Sequence, residues 1–332
     1  LKSIGLSLVE VARALDDPGF DAASALAQHV AVVEERLAAE RELLRRLQRL
    51  GRSADWHEVL AAIQLTELLR HPDAAVRLRA TLQAPNAAPI ETLVDQLVSD
   101  PSPGVREALT WALVQQGPAA TGALIGRLHD GDAGVRQQVA HALSKLGDPT
   151  ATGALAGLLL DHDPRVAAKA AFALGRLGGP EALEALVAVV GVAEPPVRDA
   201  VADALAGFGP DAVDPVAEQL ADPHPSVREH AAEILGLVGD PSGVGPLVAA
   251  LADPDADVRA HAADTLGHLG SPDADPAADA LTRLASDADA HVALAAVSAL
   301  GQLGEGADSG LQAVAADGGP LSAVAARLLA GR

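Results

Sequence analysis

The chain has 332 residues, with 24 Lys+Arg against 45 Asp+Glu and a net charge of −21. It contains no Cys, Met or Tyr, which excludes disulfides, thiolate metal sites and cysteine nucleophiles. Hydrophobic residues make up 49% but aromatics only 2%, so any core is built from Ala, Leu and Val. The charge is uneven: residues 1–70 hold 9 basic and 11 acidic residues, and residues 71–332 hold 15 and 34, a net of −19. A surface this acidic repels phosphate backbones and attracts cations, basic peptides or basic small molecules. No run of about 18 apolar residues reads as a membrane span. The absence of Cys fits a reducing cytoplasm, the location expected here.

Residues 1–15 read LKSIGLSLVEVARAL. Because the chain opens on Leu1 within a helix-like run, a fragment, a processed chain or an omitted N-terminal segment is expected. Residues 16–24 (DDPGFDAAS) break the pattern with Pro18 and Gly19. Residues 25–50 predict a helix about 39 Å long at about 1.5 Å per residue. Its apolar positions Leu26, Val30, Val33, Leu37, Leu44 and Leu47 form a heptad seam interrupted at Glu40. Nothing of similar length within the chain can cover that seam, so a second copy is expected to, in a homodimer.

From residue 71 a phrase recurs: an acidic or Pro turn, then Val-Arg, then an Ala-rich stretch ending in Leu-Gly. Its valines are Val76, Val105, Val135, Val166, Val197, Val227, Val258 and Val292. LSAVAARLLAG at 321–331 reads as a terminal cap. In the clearest unit, residues 240–270, GPLVAAL is a first helix and DPDAD a turn that Pro254 keeps from continuing as helix. Asp257 is expected to cap the second helix, whose buried stripe is Val258, Ala262, Ala263 and Leu266. Gly267 and Gly270 admit a neighbouring backbone and end the helix. One helix pair cannot bury both faces, so the units must stack. The expected fold is all-α, a right-handed α-solenoid of about eight repeats plus a cap, preceded by a long coiled-coil-type helix. The recurring Arg77, Arg106, Arg136, Arg198, Arg228 and Arg259 are expected to pair with turn carboxylates of a neighbouring repeat. Ala167 and Ala293 stand where two repeats lack that arginine.

Positions three and six after each valine lie off the buried stripe. They define a candidate ligand or partner face: Trp111, His141, Lys169, Phe172, His230, Glu233, His261 and Asp264. Trp111 and Phe172 could line an effector pocket, with Trp56 packing near the start of the repeats. His230 and His261, with Glu233 and Asp264, have the ligand types zinc accepts. Helices stacked about 8–10 Å apart are too widely spaced for one ion to hold both, so surface histidines are expected and no metal or cofactor. No phosphate loop, nucleophile elbow or metalloprotease motif occurs, and the chain reads as a binding protein, not an enzyme.

The repeat unit resembles the short bacterial HEAT-like repeats, including those of phycobilin lyases, over roughly 260 residues. The His-Glu dyads of the HEAT-repeat enzyme deoxyhypusine hydroxylase are represented only by His57-Glu58, outside the repeats. "IGLSL", the acidic-apolar helix after it and the Leu/Arg/Glu coil together resemble the MerR family of transcription regulators over residues 1–50. That resemblance implies a winged-helix remnant at 1–20, a dimerisation coil and connecting helix at 21–70, and the repeats at 71–332 as an effector-sensing module. It further implies a homodimer that binds promoter DNA through a winged-helix region missing from this chain. A cationic or amphipathic small molecule, or a basic peptide, would be sensed by the acidic repeats. The alternatives are an interaction scaffold with no DNA role and a phycobilin-lyase-like protein.

Overall fold

Each repeat is a short first helix, a turn rich in Asp and Pro, and a longer second helix. The computed structural model describes residues 56–83, 88–191, 195–270 and 273–331, and of residues 56–62 the backbone alone. The chain divides into two compact units, residues 1–67 and 68–332. The seam of Leu26, Val30, Val33, Leu37, Leu44 and Leu47, and the winged-helix remnant expected at 1–20, lie outside the described residues. Among the described residues every regular element is helical, and no helix is long and apolar enough to cross a membrane.

After α1 (Trp56–Leu69) and α2 (Ala74–Gln83), the helices come in pairs. These are α3 (Ile90–Ser99) with α4 (Pro103–Gln116), α5 (Thr121–Ile125) with α6 (Ala133–Leu146), and α7 (Thr152–Ala156) with α8 (Pro164–Leu177). Then follow α9 (Pro180–Val187) with α10 (Pro195–Ala206), α11 (Val213–Glu218) with α12 (Pro225–Val238), and α13 (Val244–Ala250) with α14 (Ala256–Leu269). The last pairs are α15 (Ala278–Leu284) with α16 (Ala290–Gln302), and α17 (Asp308–Ala316) with α18 (Ser322–Ala330).

The core follows the register of the repeat. Val258, Ala262, Ala263 and Leu266 are fully buried, as are the equivalent Val166, Ala170, Ala171 and Leu174. First helices contribute Leu124, Leu155, Leu186, Val216, Leu247 and Leu281, all fully buried. With alanines at the centre, helices approach closely and many small contacts replace a few large anchors. At Gly267 the approach leaves no room for a side chain: a Cβ there would lie 2.8 Å from Ala299 Cα of α16.

Two aspartates organise four of the turns, at 130–132, 161–163, 253–255 and 287–289, whereas α4 and α12 begin at Ser102 and His224 without a side-chain cap. The second is the N-cap: Asp255 accepts from the N–H groups of Asp257 and Val258, and Asp132, Asp163 and Asp289 cap α6, α8 and α16 in the same way. The cap of α14 is thus Asp255, two residues before the expected Asp257, because the helix begins at Ala256. The first aspartate links repeats. Arg228 Nε and Nη2 donate to both oxygens of Asp253 at 2.7 and 2.8 Å, while Nη1 donates to the Asp222 carbonyl at 2.9 Å. Arg77 with Asp100, Arg136 with Asp161, and Arg259 with Asp287 repeat this fork. One oxygen of each of these aspartates also accepts the N–H two residues on. Burial alone would raise the Asp100 and Asp253 carboxyls. The arginine fork and the loop N–H outweigh it and hold both below the usual carboxylate range. At Asp161 and Asp287 the arginine hydrogen bonds are the largest influence, in the same downward direction.

Two arginines depart from the expected pairing. Arg106 donates to Gln138 Oε1 at 3.2 Å instead of to a turn carboxylate, and Arg198 lies 3.5 Å from Glu233 on α12. Where Ala167 replaces the arginine, position 192, the place of the next turn's aspartate, is Val. Both halves of that rung are missing together.

His230 contradicts its expected place on the exposed face, being only 1% exposed. The turn after α9 folds down onto Val227: Gly191 has φ +73°, and a Cβ there would lie 2.5 Å from Val227 Cα. The Gly191 N–H then donates to His230 Nδ1 at 2.9 Å, which requires the neutral ring with its proton on Nε2. Nε2 is buried with no hydrogen-bond partner among the described residues. Burial pushes the imidazole pKa down and the nearby Arg198 charge adds to this, against the smaller opposing effects of Glu233 and Asp199.

Two measurements test these features. In urea unfolding, Asp253→Ala strands the buried Arg228 and costs about 3 kcal/mol. Arg198→Ala removes an exposed pair and costs less than about 1 kcal/mol. Equal costs would refute the distinction between fork and surface pair. For His230 the unfolded state binds the proton more readily. Its contribution is complete above about pH 6.5, the ordinary histidine value, and is lost as pH falls toward the depressed folded pKa. Stability should therefore begin to drop as pH falls below about 6.5. His230→Asn, which keeps an acceptor for Gly191, should flatten that part of the profile. A profile unchanged by this variant would remove His230 as the cause.

Candidate functional site

The exposed face of the second helices is set by the buried stripe. Once positions four, five and eight after the valine face inward, positions six and ten face out. Position six carries Trp111, His141, Phe172, Asp203, Glu233 and Asp264 from α4 to α14, each exposed or half-buried. Position three is less uniform: Lys169 is half-buried and His261 exposed, whereas Ala108 and His230 are buried. The expected strip therefore keeps Trp111, His141, Lys169, Phe172, Glu233, His261 and Asp264 on the surface and loses His230.

On α4, α6 and α8 the face is aromatic and cationic. Trp111 and Phe172 are 47% and 45% exposed, large for aromatic rings in a chain so poor in them. Lys145 Nζ lies 5.4 Å from the centre of the Trp111 ring, and Lys169 Nζ 4.7 Å from that of Phe172. Each ammonium is held by the negative face of its ring. The whole chain has three lysines, Lys2, Lys145 and Lys169, so both of those in the repeats serve these two rings. Sequence reasoning found Lys169 and missed Lys145, which stands ten residues after its valine. The scarcity of lysine was the available signal.

A groove of about 530 Å³ runs beside these pairs, lined by Arg106, Glu107, Gln138, His141 and Lys169 among others. His141 Nε2 lies 3.3 Å from Glu107 Oε2 and Arg106 donates to Gln138, so residues of three successive repeats share one polar surface. Three carboxylates line the groove: Glu107 on the face, Asp132 in the cap of α6, and Asp100 in the fork with Arg77.

On α10, α12 and α14 the same face turns acidic, with Asp199, Asp203, Glu229, Glu233 and Asp264. Arg198 beside Glu233 offsets part of this charge. His261 Nδ1–H donates to the Asp257 carbonyl at 2.9 Å, and Nε2 lies 3.5 Å from Glu229. With His230 buried, the four residues weighed as zinc ligands do not share a surface. Among the described residues no group of three or more His, Asp or Glu side chains is arranged to hold a metal.

Comparison with known proteins supports the repeat assignment. A family model described as HEAT repeats matches residues 90–167, 154–218, 213–278 and 244–330. No curated protein matches. Among solved structures, the chain is similar to the karyopherin Kap121p bound to the extreme C-terminus of the protein phosphatase Cdc14p. That likeness has 16% identity over 88% of this chain and 40% of the karyopherin, with a TM-score of 0.51, and shows the fold alone. Human deoxyhypusine hydroxylase in complex with glycerol is 23% identical over 74% of this chain and 96% of its own, with a TM-score of 0.31. The complex of CpcE and CpcF of phycocyanin lyase from Nostoc sp. PCC7120 is 27% identical over 45% and 96%, with a TM-score of 0.38. Neither bears on what this chain does, and none of the three is a MerR-family protein. With the family matched in overlapping stretches across residues 90–330, and with helix pairs in register throughout them, the chain belongs to the HEAT-repeat family.

Proposed function

We propose that the repeat array is a non-enzymatic scaffold whose second-helix face receives an extended segment of another protein. The observation that carries this is the concentration of both array lysines on the two exposed rings, beside a groove, in a unit that is otherwise acidic. Lys145 and Lys169 suit an acidic or aromatic stretch of the partner. Asp203, Glu233 and Asp264 suit a basic one, in keeping with the basic peptide or cationic molecule expected from the net charge. From Phe172 to Glu233 is two helix steps of about 8–10 Å each, roughly 16–20 Å. An extended chain covers that with about five or six residues. A protein of the same fold, the karyopherin above, is bound to the extreme C-terminus of another protein.

A designed peptide tests this: Glu-Phe-Glu and Lys-Arg-Lys separated by a flexible linker of six residues. It should quench or shift tryptophan fluorescence through Trp111, with an affinity that falls steeply as salt rises. Lys145→Ala with Lys169→Ala should weaken binding by roughly tenfold or more, the effect of losing two partly exposed charge contacts. Equal binding by parent and variant would end this reading of the face.

A second reading keeps the array within a MerR-like regulator, as the sensing part of a homodimer that binds promoter DNA. It rests on LKSIGLSLVEVARAL and on the heptad seam of residues 25–50. Solution mass decides its dimer requirement. A dimer that dissociates on Leu37→Glu with Leu44→Glu supports it, and a monomer in both forms removes its support.

A further inference from the structure

The arginine ladder ends in an unfilled seat. In four repeats the residue after the valine is an arginine that forks onto an aspartate 23 to 28 positions later, at the end of the next first helix. In α16 that residue is Ala293. The aspartate is nonetheless in place: Asp317 stands 24 positions after Ala293, directly after α17. Its N–H donates to the Ala313 carbonyl at 3.1 Å, as the Asp100 N–H donates to Gln96 at 2.9 Å. The second acceptor of a rung is the carbonyl six residues before the arginine, as when Arg259 Nη1 donates to the Asp253 carbonyl at 2.8 Å. For position 293 that carbonyl belongs to Asp287. A groove of about 550 Å³ opens here, lined by Asp287, Ala293, Val314, Asp317, Leu321 and Ser322 among others.

We propose that this groove is a binding site for a guanidinium, the side chain of an arginine presented by another polypeptide. The chain's own arginines are the template. In each filled rung a planar donor set meets two carboxylate oxygens and a carbonyl, a pattern the guanidinium satisfies and an ammonium does not. Ala293, Val314 and Leu321 offer an apolar wall to the methylene stem. The repeat with Ala167 offers no second seat, because the sequence has Val192 at the spacing where the aspartate stands in the forked repeats. This proposal concerns the last repeats and is independent of the lysine–aromatic face on α4 to α8.

The test is a backbone-amide NMR titration of the full chain with N-acetyl-arginine methylamide and, separately, its lysine counterpart. The arginine compound should give saturable shifts centred on Asp317, Gly319 and Ser322. A dissociation constant on the order of millimolar is expected for one exposed charge-assisted contact. The lysine compound should bind several-fold more weakly. Asp317→Asn should weaken arginine binding by roughly tenfold. Ala293→Arg should fill the seat from within, abolishing the shifts and raising the melting temperature. Equal response to arginine and lysine, or binding untouched by Asp317→Asn, overturns the proposal. Should Ala293→Arg not fold, Asp317→Asn still decides. Loss of arginine binding here would leave peptide binding at Lys145 and Lys169 unchanged, so the two proposals fail separately.

Discussion

The arginine–aspartate fork is the constraint around which the repeats are arranged. Alanine and leucine contacts bring helices together but set no orientation, because hydrophobic association is non-directional. The fork is directional: two parallel N–H···O bonds fix a plane, and the third donor ties that plane to the arginine's own turn. The aspartate that receives it also accepts a loop N–H, so its carboxylate shapes its own turn while holding the previous repeat. The next aspartate then starts the second helix. One short acidic phrase thereby ends a helix, joins two repeats and begins a helix, which is why the phrase recurs while the rest of each unit drifts.

Much of this architecture is legible in the sequence because it is local or periodic. The valine register locates the second helices from α2 to α16, and the stripe at Val258, Ala262, Ala263 and Leu266 is buried as its spacing requires. What escapes the sequence is longer in range. Asp255 and Asp257 are both sound caps by residue type, and only the actual start of α14 separates them. His230 is buried because the turn at Gly191, 39 residues earlier, folds over it, which no periodicity reports. Lys145 reaches Trp111 from the next repeat, so its role is invisible within its own unit. Arg106 and Arg198 fit the motif as well as the other four do, yet find partners on neighbouring second helices.

The face of the second helices inherits its chemistry from positions that the core leaves unconstrained. Position six after the valine is outward in every repeat, so it can be Trp, His or Phe on one side of the array and Asp or Glu on the other without disturbing packing. Side chains there are held by neighbours in the next repeat: Lys145 over Trp111 and His141 beside Glu107. The polar and aromatic contacts of this face are thus laid across joints between repeats, and they depend on the stacking of those repeats.

The missing rung at Ala167 and Val192 has a mechanical consequence. The joint between α8 and α10 is still closely packed, since a Cβ on Gly175 would lie 2.9 Å from that of Ala204. Like the joints at Arg106, Arg198 and Ala293, it has no arginine–aspartate fork, so non-directional apolar contacts hold it. It is the unforked joint that lies between the cationic and acidic stretches of the face. A rotation at this joint would change the separation of the two oppositely charged stretches while leaving the contacts within each intact.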